Sequence, residues 1–201
     1  MASPFFPEVI AAWQAARPNA DGEIPADLFL EAASKFVPIF DRLGTIFTPV
    51  KSDVGGNVEK LKKSRANNAA ATTLQQLIRA EKAAGTHKDK NGASTALLWF
   101  KRAMQFIFRL LEKVAAGTDA NKAAKEAYAE TLSHYHGFMV KNTFGVGLMA
   151  APSTATMLPC LGSDSALTLQ QMQEWVTTAA PFLESIHAFL IAENLDDSSK
   201  V

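Results

Sequence analysis

A single cysteine, Cys160, stands among 201 residues. An intrachain disulfide is therefore impossible, and a cysteine-rich metal site is excluded. Such scarcity fits a reducing compartment, so a cytoplasmic location is expected. Charge of one sign is not in excess either, since 20 Lys+Arg offset 20 Asp+Glu. That balance argues against a polybasic nucleic-acid binder. The start, Met1 to Glu8, has no basic residue and meets an acid early, unlike a signal peptide. The longest uncharged run, Asn142 to Ser163, is interrupted by Pro152, Pro159 and several Ser, Thr and Gly. It lacks the continuously apolar stretch of a transmembrane helix. Enzyme signatures are missing: no Gly-x-Ser-x-Gly, no His-Glu-x-x-His and no phosphate-binding glycine loop. Gly55-Gly56 has no Lys-Ser/Thr after it, and the pair Asp53 and His136 has no accompanying nucleophile.

What is present is an ordinary globular balance, 48% hydrophobic and 20% charged, which excludes a disordered chain. No repeat or long linker divides it, so a single domain over 1–201 is expected. The apolar spacing is helical throughout and no segment alternates with period two, so the class is all-α. Val9, Ile10 and Trp13 mark a first helix. A second is expected from Asp27 to Leu43, kinked at Pro38 and stopped by Gly44. Thr48 reads as the cap of a third, with Pro49 at its first position, running to about Arg65. Leu74, Leu77 and Ile78 belong to another that Gly85 ends. Ser94 is placed as the cap of a long helix to Ala116. Asp119 caps the next, expected to run unbroken through Tyr128, Leu132, His136 and Val140. Pro152 to Gly162 reads as irregular, and the last helix spans about Leu167 to Asn194, kinked near Pro181.

Three segments carry polar groups where chemistry is possible. On a wheel of about 100° per residue, Val50, Val54, Val58 and Leu61 share an apolar sector. Asp53, Asn57 and Lys60 form a polar stripe at its border, mixing acceptors and donors in a way that suits a polyhydroxylated ligand. A surface ion pair beside an amide is the plain alternative. Trp99 shares a stripe with Ala103, Phe106 and Leu110 on a helix apolar nearly all round. It is either a core tryptophan or a ring face open to a ligand. His136 is expected on a buried face with Leu132, Met139, Val140 and Thr143, needing a partner for its ring N–H. His134 lies about 200° away, so the two histidines cannot share a metal. Phe138 points outward on the same wheel, as a scattered surface aromatic or as a membrane or partner contact. Lys51, Lys60, Lys62, Lys63 and Arg65 outnumber Asp53 and Glu59 locally, a solvated basic face that also suits an anionic membrane.

Taken in order, these segments resemble one family. Phe47-Thr48-Pro49-Val50-Lys51-Ser52-Asp53-Val54-Gly55-Gly56-Asn57-Val58-Glu59-Lys60 is similar to the first headgroup helix of glycolipid transfer proteins. Leu97-Leu98-Trp99-Phe100-Lys101-Arg102 resembles the second motif, and Tyr135-His136-Gly137-Phe138 with Ala150-Ala151-Pro152 resembles the third. The resemblance implies a two-layer all-α sandwich around a lipid. It also implies non-enzymatic transfer of a glycosphingolipid between membranes by a monomer that needs no cofactor or metal and touches the membrane only transiently. Asp53, Asn57 and Lys60 would then hydrogen-bond the first sugar and Trp99 would stack under it. His136 and Asp53 would hold the ceramide amide. Phe40, Phe47, Phe106, Leu110, Val140 and Phe144 would line the chain tunnel, and Phe138 would contact the membrane.

One branch of that family carries ceramide phosphate, held by basic residues where Asn57, Trp99 and Ala103 stand here. Removing those cations removes what a phosphate needs, so the neutral-sugar branch is expected. Two departures stand out: many animal members carry Trp at the place of Phe138, and the polar end Asp196 to Val201 lacks the tyrosine some members have. A glycolipid sensor or adaptor is the alternative from another class.

Overall fold

The computed structural model describes residues 3–200; Met1, Ala2 and Val201, parts of the leader reading and of the polar end, lie outside the described residues. Among the described residues ten α-helices follow one another: α1 Phe6–Ala15, α2 Ala26–Phe36, α3 Ile39–Leu43, α4 Thr48–Asn67, α5 Leu74–Ala83, α6 Ala93–Ala115, α7 Ala120–Glu130, α8 Phe138–Leu148, α9 Thr154–Leu161 and α10 Ser165–Ala192. Two short 3₁₀ turns, Thr45–Phe47 and Leu132–Tyr135, precede α4 and α8. Among the described residues the only β-pairing is an isolated bridge between Pro25 and Thr73, so the all-α expectation holds.

Five helices close a ring: α1 packs on α2, α2 on α4, α4 on α6, α6 on α10 and α10 back on α1. The α7 helix lies against the remaining side of α6 and carries α8, while α3 and α9 close one end. A helix surrounded in this way must be apolar nearly all round. α6 meets that demand with Leu97, Phe100, Ala103, Met104, Phe106, Ile107, Leu110 and Leu111 all buried. α10 is long and apolar enough to cross a bilayer by composition, but Trp175, Phe182 and Ile186 on it are core residues. One end of the ring is aromatic. The rings of Phe36 and Trp175 stack 4.4 Å apart, and Trp13 meets Phe182 edge-on at 5.1 Å.

Several expected boundaries move. Pro38 does not kink a continuous helix; it separates α2 from α3 through a turn at Val37-Pro38, because its ring cannot continue the helix of the preceding residues. Gly44 does end α3, at φ 107°, a region that favours glycine. Thr48 is already helical and makes no side-chain cap, so the 3₁₀ turn leads directly into α4. Ser94 is inside α6, not its cap. The first N–H groups of that helix, on Ala93 and Ser94, donate instead to the Glu81 carboxylate from α5, at 2.6 and 2.8 Å. Gly92 leaves room for this approach, since a Cβ there would stand 3.1 Å from both carboxylate oxygens, a tight contact. The segment read as irregular holds α9, capped by Ser153, whose hydroxyl accepts from Thr156 N. Asp119 caps α7 as expected.

The largest departure is the helix expected to run from Asp119 through Val140. It stops at Glu130, continues as the 3₁₀ turn, becomes extended at His136 and Gly137, and restarts at Phe138. In an unbroken helix Tyr128 and His136 would be separated by about 12 Å along the axis. Here the Tyr128 hydroxyl and His136 Nδ1 are 2.9 Å apart, a contact that the break permits.

Candidate ligand-binding rim

The polar stripe of α4 forms as expected. Asn57 is buried and its amide donates to Asp53 Oδ1 at 3.1 Å. Asp53 retains an open surface toward solvent, but surrounding protein desolvates its carboxyl. That burial raises its pKa above the usual carboxylate value, while the Asn57 hydrogen bond and the Lys60 charge pull it back down. Among the described residues Asp53 is in no ion pair. Lys60 turns its ammonium to the carbonyl of Lys90, at 3.0 Å, in the loop ahead of α6. The basic surplus nearby is largely matched: Lys51 pairs with Asp41, Lys62 with Glu59 and Arg65 with Asp27.

Trp99 is half-buried at the start of α6, whereas Trp13 and Trp175 are fully buried. The Arg102 guanidinium lies over its ring, 4.7 Å from the centroid. Arg102 itself is completely buried, so it covers a protein-side face of the indole. In the sequence Arg102 is one position of a motif, with no separate role legible there. Its setting depends on partners 95 and 97 positions away, for which the local sequence carries no signal.

His136 is buried, as expected. Tyr128, which the reading placed on the helix without a role, is its partner at 2.9 Å. Burial, and secondarily the charge of Lys141, lowers the His136 pKa, so the ring is neutral near pH 7. Burial also raises the Tyr128 pKa and keeps its hydroxyl protonated. A protonated hydroxyl can donate to Nδ1; in that tautomer the ring proton sits on Nε2, a donor matched to a carbonyl oxygen. Leu132 joins the buried side, but Met139 is 81% exposed and Thr143 is also exposed. Their expected burial beside His136 fails because α8 starts a new helical phase at Phe138.

That new phase gathers an apolar surface stripe. Phe138 and Met139 are each 81% exposed, Met149 70% and Val146 68%. The outward direction of Phe138 therefore matches the reading, although the unbroken wheel that led to it does not exist. Behind the stripe, Phe144 contacts Tyr128 at 4.7 Å and Phe106 at 5.8 Å between ring centroids. Phe40, Phe47, Phe106 and Leu110 are buried, Val140 and Phe144 partly so. Two surface hollows, of about 580 and 250 Å³, are present, the smaller lined by Leu43, Ile46, Ala150 and Met157 beside the turn that holds Phe47. The larger, between α2 and α4, is lined by Asp27, Glu31, Lys62 and Arg65, and none of the apolar set lines it.

Comparison with known proteins names this arrangement. The family description "Glycolipid transfer protein (GLTP)" matches residues 24–163, and the chain belongs to that family. Its members are non-enzymatic lipid transfer proteins. A glycolipid transfer protein of Aureobasidium melanogenum is 32% identical over 180 residues, covering 88% of each chain. The human pleckstrin homology domain-containing family A member 8 is 40% identical over 136 residues, which are 66% of this chain. That alignment spans about a quarter of the human relative's own length, 26%. A structure showing how FAPP2 selects simple glycosphingolipids using the GLTP fold superposes with a TM-score of 0.90 at 29% identity, covering 98% of this chain and 99% of that one. Mouse ceramide-1-phosphate transfer protein in its apo form gives 0.89 at 17% identity over 97% and 98% of the two chains, a likeness of fold.

Proposed function

We propose that residues 1–201 act as a single glycolipid transfer domain that moves glycosphingolipids between membranes. The observation that carries this reading is the geometry at Asp53: a carboxylate at the rim, in no ion pair among the described residues, braced by a buried Asn57 that donates to it at 3.1 Å. A carboxylate kept partly dry and unmatched is poised for hydroxyl and amide donors that arrive with a ligand. Asp53, Asn57 and Lys60 hydrogen-bond the first sugar, Trp99 stacks under it, and His136 with Asp53 holds the ceramide amide. The neutral His136 ring donates from Nε2 to the amide carbonyl, and Asp53 accepts from the amide N–H.

The apolar set Phe40, Phe47, Phe106, Leu110, Val140 and Phe144 receives the chains. Each CH₂ removed from a bilayer costs about 0.8 kcal/mol unless it finds an equally dry place. Hydrogen bonds to the charged Asp53 and Lys60 are worth about 1.5–3 kcal/mol each and supply headgroup discrimination. The stripe Phe138, Met139, Val146 and Met149 rests on the bilayer interface during exchange. Transient membrane contact by a cytoplasmic monomer is the expected mode, with no nucleic acid and no cofactor.

A neutral headgroup is favoured over ceramide phosphate. Asn57, Trp99 and Ala103 offer no cation, and the buried cations next to Trp99, Lys101 and Arg102, already face Asp196 and Asp197. The relatives whose reported ligand is a glycosphingolipid also share more identity than the ceramide-phosphate carriers do. A competition assay with vesicles holding labelled galactosylceramide and ceramide phosphate tests the reading. Clear preference for the sugar lipid, recovered chemically unchanged, is expected. Equal or better transfer of the phosphate lipid refutes the headgroup assignment, and binding without transfer favours a sensor.

A further inference from the structure

The segment following α10 places its polar groups on two buried cations of α6. Lys101 and Arg102 are both fully buried. The Lys101 ammonium is 2.9 Å from Asp196 Oδ1 and 3.3 Å from His187 Nδ1, and His187 is itself 3.2 Å from the other Asp196 oxygen. Arg102 donates to the backbone carbonyls of Asp197 and Ser199 and lies 3.5 Å from the Asp197 carboxylate. Its guanidinium is at the same time 4.7 Å from the centroid of Trp99 and 3.8 Å from that of Tyr135. Only a planar cation fits between two rings while its edge reaches two carbonyls; an ammonium does not. One side chain therefore links the sugar-stacking residue, the residue preceding His136, and a segment nearly a hundred positions further on.

We propose that Arg102 is a positioning residue for the Trp99 platform, and that docking of Asp196–Ser199 on α6 sets the pose of that platform. The inference rests on the reading of Trp99 as the sugar-stacking residue. Taking two cations out of water is costly unless their partners stay in place. When the segment leaves, Arg102 loses both carbonyls and two ionic partners, Asp196 and Asp197, and turns toward water, which removes the support behind the indole. A platform held from behind loses less freedom on binding than one that must be ordered by the sugar.

Acrylamide quenching of tryptophan emission tests this in the full chain, because Trp13 and Trp175 are buried and Trp99 is the accessible indole. Trp99→Phe should remove the quenchable component and so establish the probe. Two variants then address the coupling. Arg102→Lys keeps the charge but not the plane. Lys101→Met combined with Asp196→Leu frees the segment without leaving an unmatched charge, and it supplies the readout if Arg102→Lys folds poorly. Each should increase Trp99 quenching and lower galactosylceramide affinity by about tenfold, a moderate anchor loss. Combining them should lower affinity little further, because both break one linkage. Variants that shift only the melting temperature, with quenching and affinity at wild-type values, overturn the proposal, as does full additivity. Separately, wild-type binding by Trp99→Ala would discard the sugar-site reading itself.

Discussion

The two ends of the α6 helix bundle are built differently. At one end α1, α2 and α10 interlock Trp13, Phe29, Phe36, Trp175 and Phe182 in edge-on and stacked pairs, all buried. This end is closed, and it even buries the indole N–H groups of Trp13 and Trp175 without a hydrogen-bond acceptor among the described residues. At the other end α7 and α8 meet through an extended dipeptide, Phe144 is only partly buried, and four large apolar side chains face outward. Close packing makes the first end rigid. The second end carries the exposed apolar stripe, and it is where the proposed function puts lipid entry and membrane contact. On that proposal the fold is held in one place and the opening lies in another.

That contrast is broken most severely by cutting into the closed end. Trp175→Ala should cost about 3–5 kcal/mol of stability, lowering the melting temperature strongly and removing transfer only by unfolding. Trp99→Ala should do the reverse, leaving circular dichroism and melting nearly unchanged while glycolipid affinity drops about thirtyfold, the roughly 2 kcal/mol of an aromatic anchor. Phe138→Ala should slow vesicle-to-vesicle transfer by about tenfold or more, since burying such a ring is worth about 1.5–3 kcal/mol. Its binding of detergent-dispersed glycolipid should remain unchanged. Loss of that binding as well would place Phe138 in the pocket and not on the membrane.

The smallest expected effect is in pH. The His136 pKa is depressed in the folded chain, so the unfolded chain binds the proton more readily. The stability this supplies is present above the unfolded value near 6.5 and is lost as pH falls below it. Asp53 has the opposite sign: its raised folded pKa means that ionising it costs stability as pH rises through the acid range. Melting curves between pH 7.5 and 5.5 should therefore show a loss that His136→Gln reduces. An identical pH slope in the variant would remove His136 from this account.

Much of this was legible locally. Val54, Val58 and Leu61 against Asp53, Asn57 and Lys60 is a pattern on one helix, and the structure keeps it. The Asp119 cap and the stop at Gly44 are equally local. What was missed depends on partners distant in sequence or on a break in the chain. Glu81 caps a helix it does not belong to. The α7–α8 break is bound up with the contact between Tyr128 and His136. Thr131 and Ser133, which return their hydroxyls to the carbonyls of Ala127 and Ala129, were the available hints. Periodicity alone therefore carried the wheel across a junction where the helix ends. Arg102 shows the same limit, since a motif position does not announce the carbonyls of Asp197 and Ser199.

The central claim is that Asp53 is held partly dry for a ligand, at a cost to the free protein. Asp53→Val tests it when melting temperature and galactosylceramide transfer are measured on one preparation at pH 7. The account predicts a variant at least as stable as the wild type that transfers almost no glycolipid. Wild-type transfer by the folded variant would contradict it.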